Sequence, residues 1–378
     1  MPRLLSLLSL LCALVAQIIP AAALASPDAP GSDISATAQQ DLFDALAKRP
    51  REPVIAVVAL NDGTETTDFL VPYAVLKRAG VGRVQAVALE AGEVTLMPAL
   101  RIVPDTTLTA FDAQHPNGAD IVIVPAMHTD DDPRVLRWLQ QQAAHGAMIV
   151  GICSGARVLS QAGLLKRRRF TGHWYDRSDL RDANPTASYV PDVRYLHDNG
   201  IVTTTGVSAS IPVSLALVEG LAGRDRALAV AQWLGASDWS ARHTSAGFEL
   251  NARRLWTIAA NAVSVWRHET LAIPVAEGVD DISLALTADA WSRTWRTTVI
   301  ATPASAASIG QVRMASGLTL VTTAPASGTT RPLALTRDSN AMTQFAQSLA
   351  DIERRYGPAE RDIVTLAMEY IPTPKSQR

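Results

Sequence analysis

Ala147-Met148-Ile149-Val150-Gly151-Ile152-Cys153-Ser154-Gly155 is a short apolar run that ends in a cysteine between two glycines. A run without polar alternation is the pattern of a strand covered on both faces in a parallel sheet. The next residues have helical spacing through Leu159 and stop near Gly163, so Cys153 falls where a strand turns sharply into a helix. Gly-x-nucleophile-x-Gly is the form of a nucleophile elbow, in which the tight turn excludes flanking side chains and pushes the central one out of the sheet. A thiol there faces the amides of a first helical turn, which favour thiolate. The same residues can also be read as a core cysteine that happens to be flanked by glycines.

Working outward, Val54-Ile55-Ala56-Val57-Val58-Ala59-Leu60 and Ile121-Val122-Ile123-Val124 are two more buried-strand runs, and residues 84–89 a further strand. Helices are predicted over 66–79, stopped by Gly80, and from Asp132-Pro133, an N-cap followed by proline in the first turn. A small hairpin is expected around Pro98-Ala99, a second around Asn199-Gly200, and helices over 208–221 and 225–234. This alternation predicts an α/β, flavodoxin-like, doubly wound and mostly parallel sheet over 51–240. Ligands of such sheets sit beyond the carboxyl ends of the strands, where Cys153 lies.

A smaller α/β carboxy-terminal region is expected over 245–378: strands at 271–276 and 299–302, an acidic turn at 278–281, an amphipathic stretch at 282–296 and a hairpin about Gly317. A helix over 342–356 and a strand over 363–368 complete it. Its element order parallels the start of the main domain, so it reads as a degenerate, non-catalytic repeat without a cysteine.

Residues 1–25 read as a signal peptide: Arg3, an apolar stretch to Ile19, then Ala23-Leu24-Ala25 as a small-x-small cleavage site. The expectation is a periplasmic or secreted protein, or a membrane-anchored one if the segment stays attached, with residues 26–50 as a linker holding one short helical turn. Cleavage would remove Cys12, leave Cys153 as the sole thiol and rule out an internal disulfide. A formal net charge of −2 over 378 residues, with no basic stripe, argues against nucleic acid as a partner. The sequence lacks a His-Glu-x-x-His, a paired-cysteine zinc pattern, a phosphate loop and a dinucleotide fingerprint, so neither metal nor cofactor is predicted.

A reacting thiol needs a proton partner. His173, in Thr171-Gly172-His173-Trp174, is one candidate, though a histidine in a loop is as readily a surface residue. Asp68 and Glu65, at the first strand-to-helix crossing, are acids at the same end of the sheet, and each is equally read as a helix-capping carboxylate.

Over residues 53–235 these segments resemble the DJ-1/PfpI superfamily, the class I glutamine amidotransferase-like fold. The resemblance rests on the elbow, Ala162-Gly163-Leu164-Leu165, Gly172-His173-Trp174, and Val202-Thr203-Thr204-Thr205-Gly206-Val207-Ser208-Ala209. It is similar above all to the branch with isocyanide hydratases and the amino-terminal modules of AraC-type regulators. That family carries an acid four positions before a proline in its first helix, so the resemblance assigns the role to Asp68, before Pro72, rather than to Glu65. It implies Cys153, Asp68 and His173 as catalytic residues and Ser154, Met127, Gly155 and Trp174 as binding residues. The amides of Ser154 and Met127 would receive developing negative charge.

The sequence departs from the family at Pro125-Ala126-Met127-His128, where Pro-Gly-Gly is usual, and at His173-Trp174-Tyr175, where glutamine amidotransferases have His-x-Glu. The carboxy-terminal region does not read as helix-turn-helix units. The resemblance therefore implies a cysteine-dependent hydratase, hydrolase or deglycase acting on a small molecule, with a lowered thiol pKa; the alternative is a non-enzymatic envelope stress sensor, binding module or holdase with a redox-sensitive Cys153. A membrane-proximal position and a homodimer are compatible with this reading.

Overall fold

Strand β1 (Val54–Ala59) shows how the sheet comes to be covered on both sides. Its alternate side chains Ile55, Val57 and Ala59 join one apolar cluster with Leu42, Phe69 and Leu284, while Ala56 and Val58 join another with Phe111, Trp138 and Leu159. Each large side chain so buried contributes about 1.5–3 kcal/mol, and two cores demand helices on both faces. The computed structural model describes residues 34–324, 330–336 and 339–371. The expected signal peptide and the first part of the linker lie outside the described residues.

The following strands are β2 (Asp62–Glu65), β3 (Arg83–Ala88), β4 (Val94–Met97), β5 (Arg101–Val103) and β6 (Thr106–Thr107). After them come β7 (Ile121–Val124), β8 (Met148–Gly151), β9 (Arg169–Phe170), β10 (Ser188–Tyr189), β11 (Tyr195–Asp198) and β12 (Ile201–Thr204). The central sheet runs β11-β12-β8-β7-β1-β3-β6. It is parallel throughout except for β11, which returns antiparallel to β12 through the Asn199-Gly200 turn. This is the doubly wound α/β sheet that the sequence predicts, and it puts the carboxyl ends of β1, β7 and β8 side by side.

Helix α1 (Ile34–Leu46) lies where the sequence suggests a linker with one short turn. Ala38, Leu42 and Leu46, spaced by four, are buried in the first core, and Leu46 packs so closely on Gly220 that a Cβ there would stand 2.4 Å from it. Helix α2 (Thr66–Ala79) matches its predicted span, with Glu65 as N-cap and Gly80 left-handed at its end. Next come α3 (Leu108–Gln114), α4 (Pro133–Ala144), α5 (Gly155–Gln161), α6 (Arg177–Ala183), α7 (Ser210–Ala222) and α8 (Arg224–Leu234).

The carboxy-terminal region adds α9 (Ala252–Val263), β13 (Glu269–Val275), α10 (Asp281–Ser292), β14 (Thr297–Pro303), β15 (Gln311–Arg313), β16 (Thr319–Val321), β17 (Thr330–Pro332), α11 (Ala341–Tyr356) and α12 (Pro358–Ala367). From β13 to β16 the order of strand, helix and three strands follows that of β1, α2, β3, β4 and β5, with no counterpart of β2. Two expectations change here. The stretch over 282–296 is not amphipathic: every residue from Asp281 to Trp291 is buried, because α2 covers one side of α10 and α11 another. Residues 363–368 are largely helix α12 rather than strand; six mostly apolar residues suit either form, and Gly357-Pro358, at the N-cap and first turn, decides for helix.

The regions are not separate bodies, since the chain from Ile34 onward forms one compact unit. Strand β16 pairs antiparallel with β5, so hairpins from both regions share the sheet β15-β16-β5-β4-β2. Helices α2 and α10 are tied reciprocally. Arg78, in the last turn of α2, meets Asp280, the N-cap of α10, at 2.6 Å, and Arg293, the C-cap of α10, meets Glu65, the N-cap of α2, also at 2.6 Å.

Candidate active site

Cys153 leaves β8 with φ 54, a left-handed conformation that costs a non-glycine residue on the order of 1–3 kcal/mol. The surroundings hold it there. A Cβ at Gly155 would stand 2.1 Å from the Val124 carbonyl oxygen, so only glycine lets the elbow close against β7. The Ile152 amide donates to that same carbonyl at 2.9 Å, and the Cys153 amide donates to Thr204 Oγ1 at 3.1 Å. The turn is thus clamped between β7 and β12, as a nucleophile elbow requires. Gly155 serves this closure and does not line the cavity.

The thiol, 4% exposed, lies on the wall of a cavity of about 810 Å³ that also shows Glu65, Met127, His128, Ser154 and His173. Residues from the carboxy-terminal region, Ser292, Arg293, Trp295 and Ala367, form another part of the wall. The amides of Met127 and Ser154 donate no hydrogen bond among the described residues. They are therefore available as donors to a bound molecule. Ser154 Oγ lies 3.9 Å from the sulfur and donates to the Asp176 carboxylate, which Arg157 approaches at 3.6 Å.

Asp68 is fully buried behind this wall, accepting from the Ala126 amide and from Ser210 Oγ, at 3.3 and 3.2 Å. Burial is the main reason that its carboxyl is pushed up to about 7; those hydrogen bonds and Arg293 oppose the rise. Of the two acids, Glu65 is the one that lines the cavity. Its Oε2 caps α2 by accepting from the Asp68 amide at 2.5 Å, and its Oε1 accepts from Arg293 Nη2 at 2.6 Å. Burial, then Asp289 and Asp68, push the Glu65 carboxyl well up, against the pull of Arg293. Both readings of these acids are thus realised together: Glu65 is the cap and a cavity wall, Asp68 the buried neighbour.

His173 is buried, and its Nε2 lies 3.3 Å from the Ala367 carbonyl. A carbonyl only accepts, so this bond puts the proton on Nε2 and leaves Nδ1 as a base. Burial lowers the His173 pKa, so the ring is neutral near pH 7. Trp174 does not line the cavity; its Nε1 donates to the Leu366 carbonyl at 2.8 Å and its amide to Glu369 Oε2 at 3.2 Å. Glu369 also accepts from the Gly206 amide at 2.7 Å and pairs with His243 at 3.0 Å, binding the Gly-His-Trp loop to the end of the chain.

The structure overturns the expected lowering of the thiol pKa. Burial raises it well above the ordinary value, Asp68, Glu65 and Asp176 raise it further, and Arg293 opposes them. Sequence reasoning missed Arg293 altogether. It holds Asp289 with Nε at 2.6 Å and Glu65 with Nη2, and Thr67 Oγ1 donates to Asp289 at 2.8 Å. With Glu65 and Arg293 separated by 228 positions, no spacing rule connects them. Among the described residues no group of three or more His, Cys, Asp or Glu is placed to hold a metal.

Residues 54–220 match the model of the DJ-1/PfpI family. The chain is 31% identical over 165 residues to the isonitrile hydratase of Pseudomonas putida, a match that covers 42% of this chain and 68% of that protein. It is 28% identical over 185 residues to protein dj-1beta of Drosophila melanogaster, covering 47% of this chain and 95% of the relative. The crystal structure of Drosophila melanogaster DJ-1beta aligns with a TM-score of 0.45 at 26% identity, over 50% of this chain and 100% of that one.

Proposed function

Because this chain belongs to the DJ-1/PfpI family, we propose that it is a cysteine-dependent enzyme that hydrates, hydrolyses or deglycates a small carbon electrophile. The observation that carries the reading is the strained Cys153 on the wall of a cavity with two unpaired amides beside it. Since burial keeps the thiol protonated, attack and proton transfer occur together. Sulfur bonds to the electrophilic carbon while its proton is drawn towards Asp68, which acts on the thiol from behind the cavity wall and whose pKa of about 7 suits both taking and returning it. Negative charge that develops on the substrate heteroatom is met by the Met127 and Ser154 amides, and the heteroatom then takes the proton. With an ester or amide the protonated alcohol or amine leaves as a thioester forms; water, deprotonated by Nδ1 of His173, then attacks the same carbon, the carbon–sulfur bond breaks, and His173 returns that proton to the sulfur.

Isonitrile is the substrate class in the name of one relative; an isonitrile carbon attacked by sulfur itself takes the proton, and water adding to the resulting thioimidate carbon, with loss of the sulfur, leaves a formamide. The partner is thus a small molecule rather than nucleic acid, and the apolar leader supports export to the periplasm or beyond, by cleavage or as an anchor. Mass spectrometry of the amino terminus after expression with an export machinery tests that point; an intact Met1 on soluble protein would refute cleavage. The non-enzymatic alternative, an envelope sensor, binding module or holdase, has less support, because a buried, protonated thiol oxidises slowly. The deciding experiment is a turnover screen with isonitriles, α-oxoaldehydes and small amides and esters. Activity abolished by Cys153→Ala supports the enzyme; turnover that survives the substitution refutes the assigned nucleophile.

A further inference from the structure

Helix α9 is built with its apolar side outward. At 100° per residue, Arg254, Ile258 and Asn261 point one way, and Ala252, Trp256, Ala259 and Val263 the other. The body of the protein holds the first set. Arg254 binds both Asp362 oxygens at 2.9 Å, and the Asn261 side-chain amide donates to the Thr294 carbonyl at 2.9 Å. The second set is in solvent: Trp256 is 75% and Val263 60% exposed, and just past the helix Val265 is 64% and Trp266 79% exposed. A surface helix of a globular protein ordinarily does the reverse.

The charge around this patch is one-sided. Arg253 and Arg267 are exposed and form no ion pair among the described residues. Of the nearby acids, Asp362 is matched by Arg254, and Glu269 by Arg331 and Arg355; Glu249 is the one exposed acid without an ion pair. No helix among the described residues is long and apolar enough to cross a membrane, so a lipid contact here is peripheral.

We propose that α9 and the turn after it dock on an anionic lipid surface, with Trp256 and Trp266 in the boundary between headgroups and acyl chains and Arg253 and Arg267 on the phosphates. Tryptophans interleaved with unpaired arginines suit that boundary, where one end of each indole is wet and the surface is negative. A protein partner would have to match two isolated cations and two indoles at once, and a second copy would bring like charges together. Thr294, which holds Asn261, precedes Trp295, a half-exposed wall residue of the Cys153 cavity. The docked face therefore adjoins the cavity wall.

Amide hydrogen exchange of the full chain, with and without vesicles of phosphatidylglycerol and phosphatidylethanolamine, reads this segment apart from any other membrane contact. Protection over 252–267 on adding vesicles is expected, weakened about tenfold or more in apparent affinity by Trp256→Ser with Trp266→Ser. Arg253→Gln and Arg267→Gln should each cost about fivefold on these anionic vesicles. These exposed positions leave folding intact, so the variants remain informative. Exchange over 252–267 unchanged by vesicles overturns the proposal. So does protection that grows with protein concentration in lipid-free buffer, which would assign the face to a second copy.

Discussion

Arg293→Met removes the guanidinium that joins the carboxy-terminal region to the site while keeping much of its length. Two effects follow. Asp289, fully buried, and Glu65, almost so, lose their cation, and breaking a buried pair costs about 3–5 kcal/mol. The Arg293 side chain is 20% exposed, so screening puts the cost at the low end, about 3 kcal/mol. With an unfolding entropy near 2.1 cal/mol/K per residue, a chain of this size loses about 0.8 kcal/mol per kelvin at its midpoint, so Tm falls by about 4 °C. The second effect is on the thiol. Arg293 is the cation that opposes the rise of the Cys153 pKa, so the pH midpoint of iodoacetamide labelling moves up in the variant. Arg293→Lys keeps the charge but not the fork, and should restore the labelling midpoint better than the Tm. A labelling midpoint in Arg293→Met equal to or below that of the wild type would refute the electrostatic reasoning.

Asp68→Asn removes an acid that raises the thiol pKa, so its labelling midpoint should fall, while turnover drops by roughly 10²–10⁴ through loss of the proton carrier; an unchanged midpoint would separate Asp68 from the thiol. The Asp68 carboxyl, raised in the folded state from 3.8 to about 7, contributes stability that is complete below pH 3.8 and lost as pH climbs to about 7. Thermal scans over that window should show Asp68→Asn with a flatter decline than the wild type, and parallel curves would contradict the assignment. Gly155→Ala drives a methyl against the Val124 carbonyl and should cost 1–3 kcal/mol or more, together with Cys153 reactivity; a variant of wild-type Tm would show that the elbow is not so tightly closed.

What could be read in the sequence is what local pattern controls. Val54–Ala59, Ile121–Val124 and Met148–Gly151 are apolar without alternation because helices cover both their sides, and Gly80 and Asn199-Gly200 mark turns by their own conformational needs. The elbow was legible for the same reason, since Gly151 and Gly155 flank the residue they serve. His173 lines the Cys153 cavity, whereas Asp68 lies behind its wall and acts on the thiol by charge, and Glu65, the other acid of that crossing, emerges as both cap and wall. The contacts of Arg293 with Glu65, of Asp289 with Thr67 and of Glu369 with Trp174 were illegible, because the partners are remote in sequence; only the Asp289–Arg293 pair, four residues apart, is local. Helix α9 escaped detection because its polar side faces the protein, against the rule that pattern reading relies on.

The crossed arginine bridges between α2 and α10 have a consequence for assembly. Each helix start is locked by the other helix's end, so the two cannot slide along one another without breaking both locks. That flank of α2 is consumed within a single chain, and two copies that associate must meet elsewhere. A cut that removed the carboxy-terminal region would leave Glu65 without its cation, uncover the side of α2 that α10 covers, and strip Arg293, Trp295 and Ala367 from around the sulfur. The chain therefore carries as one covalent piece a wall that its first region alone would lack.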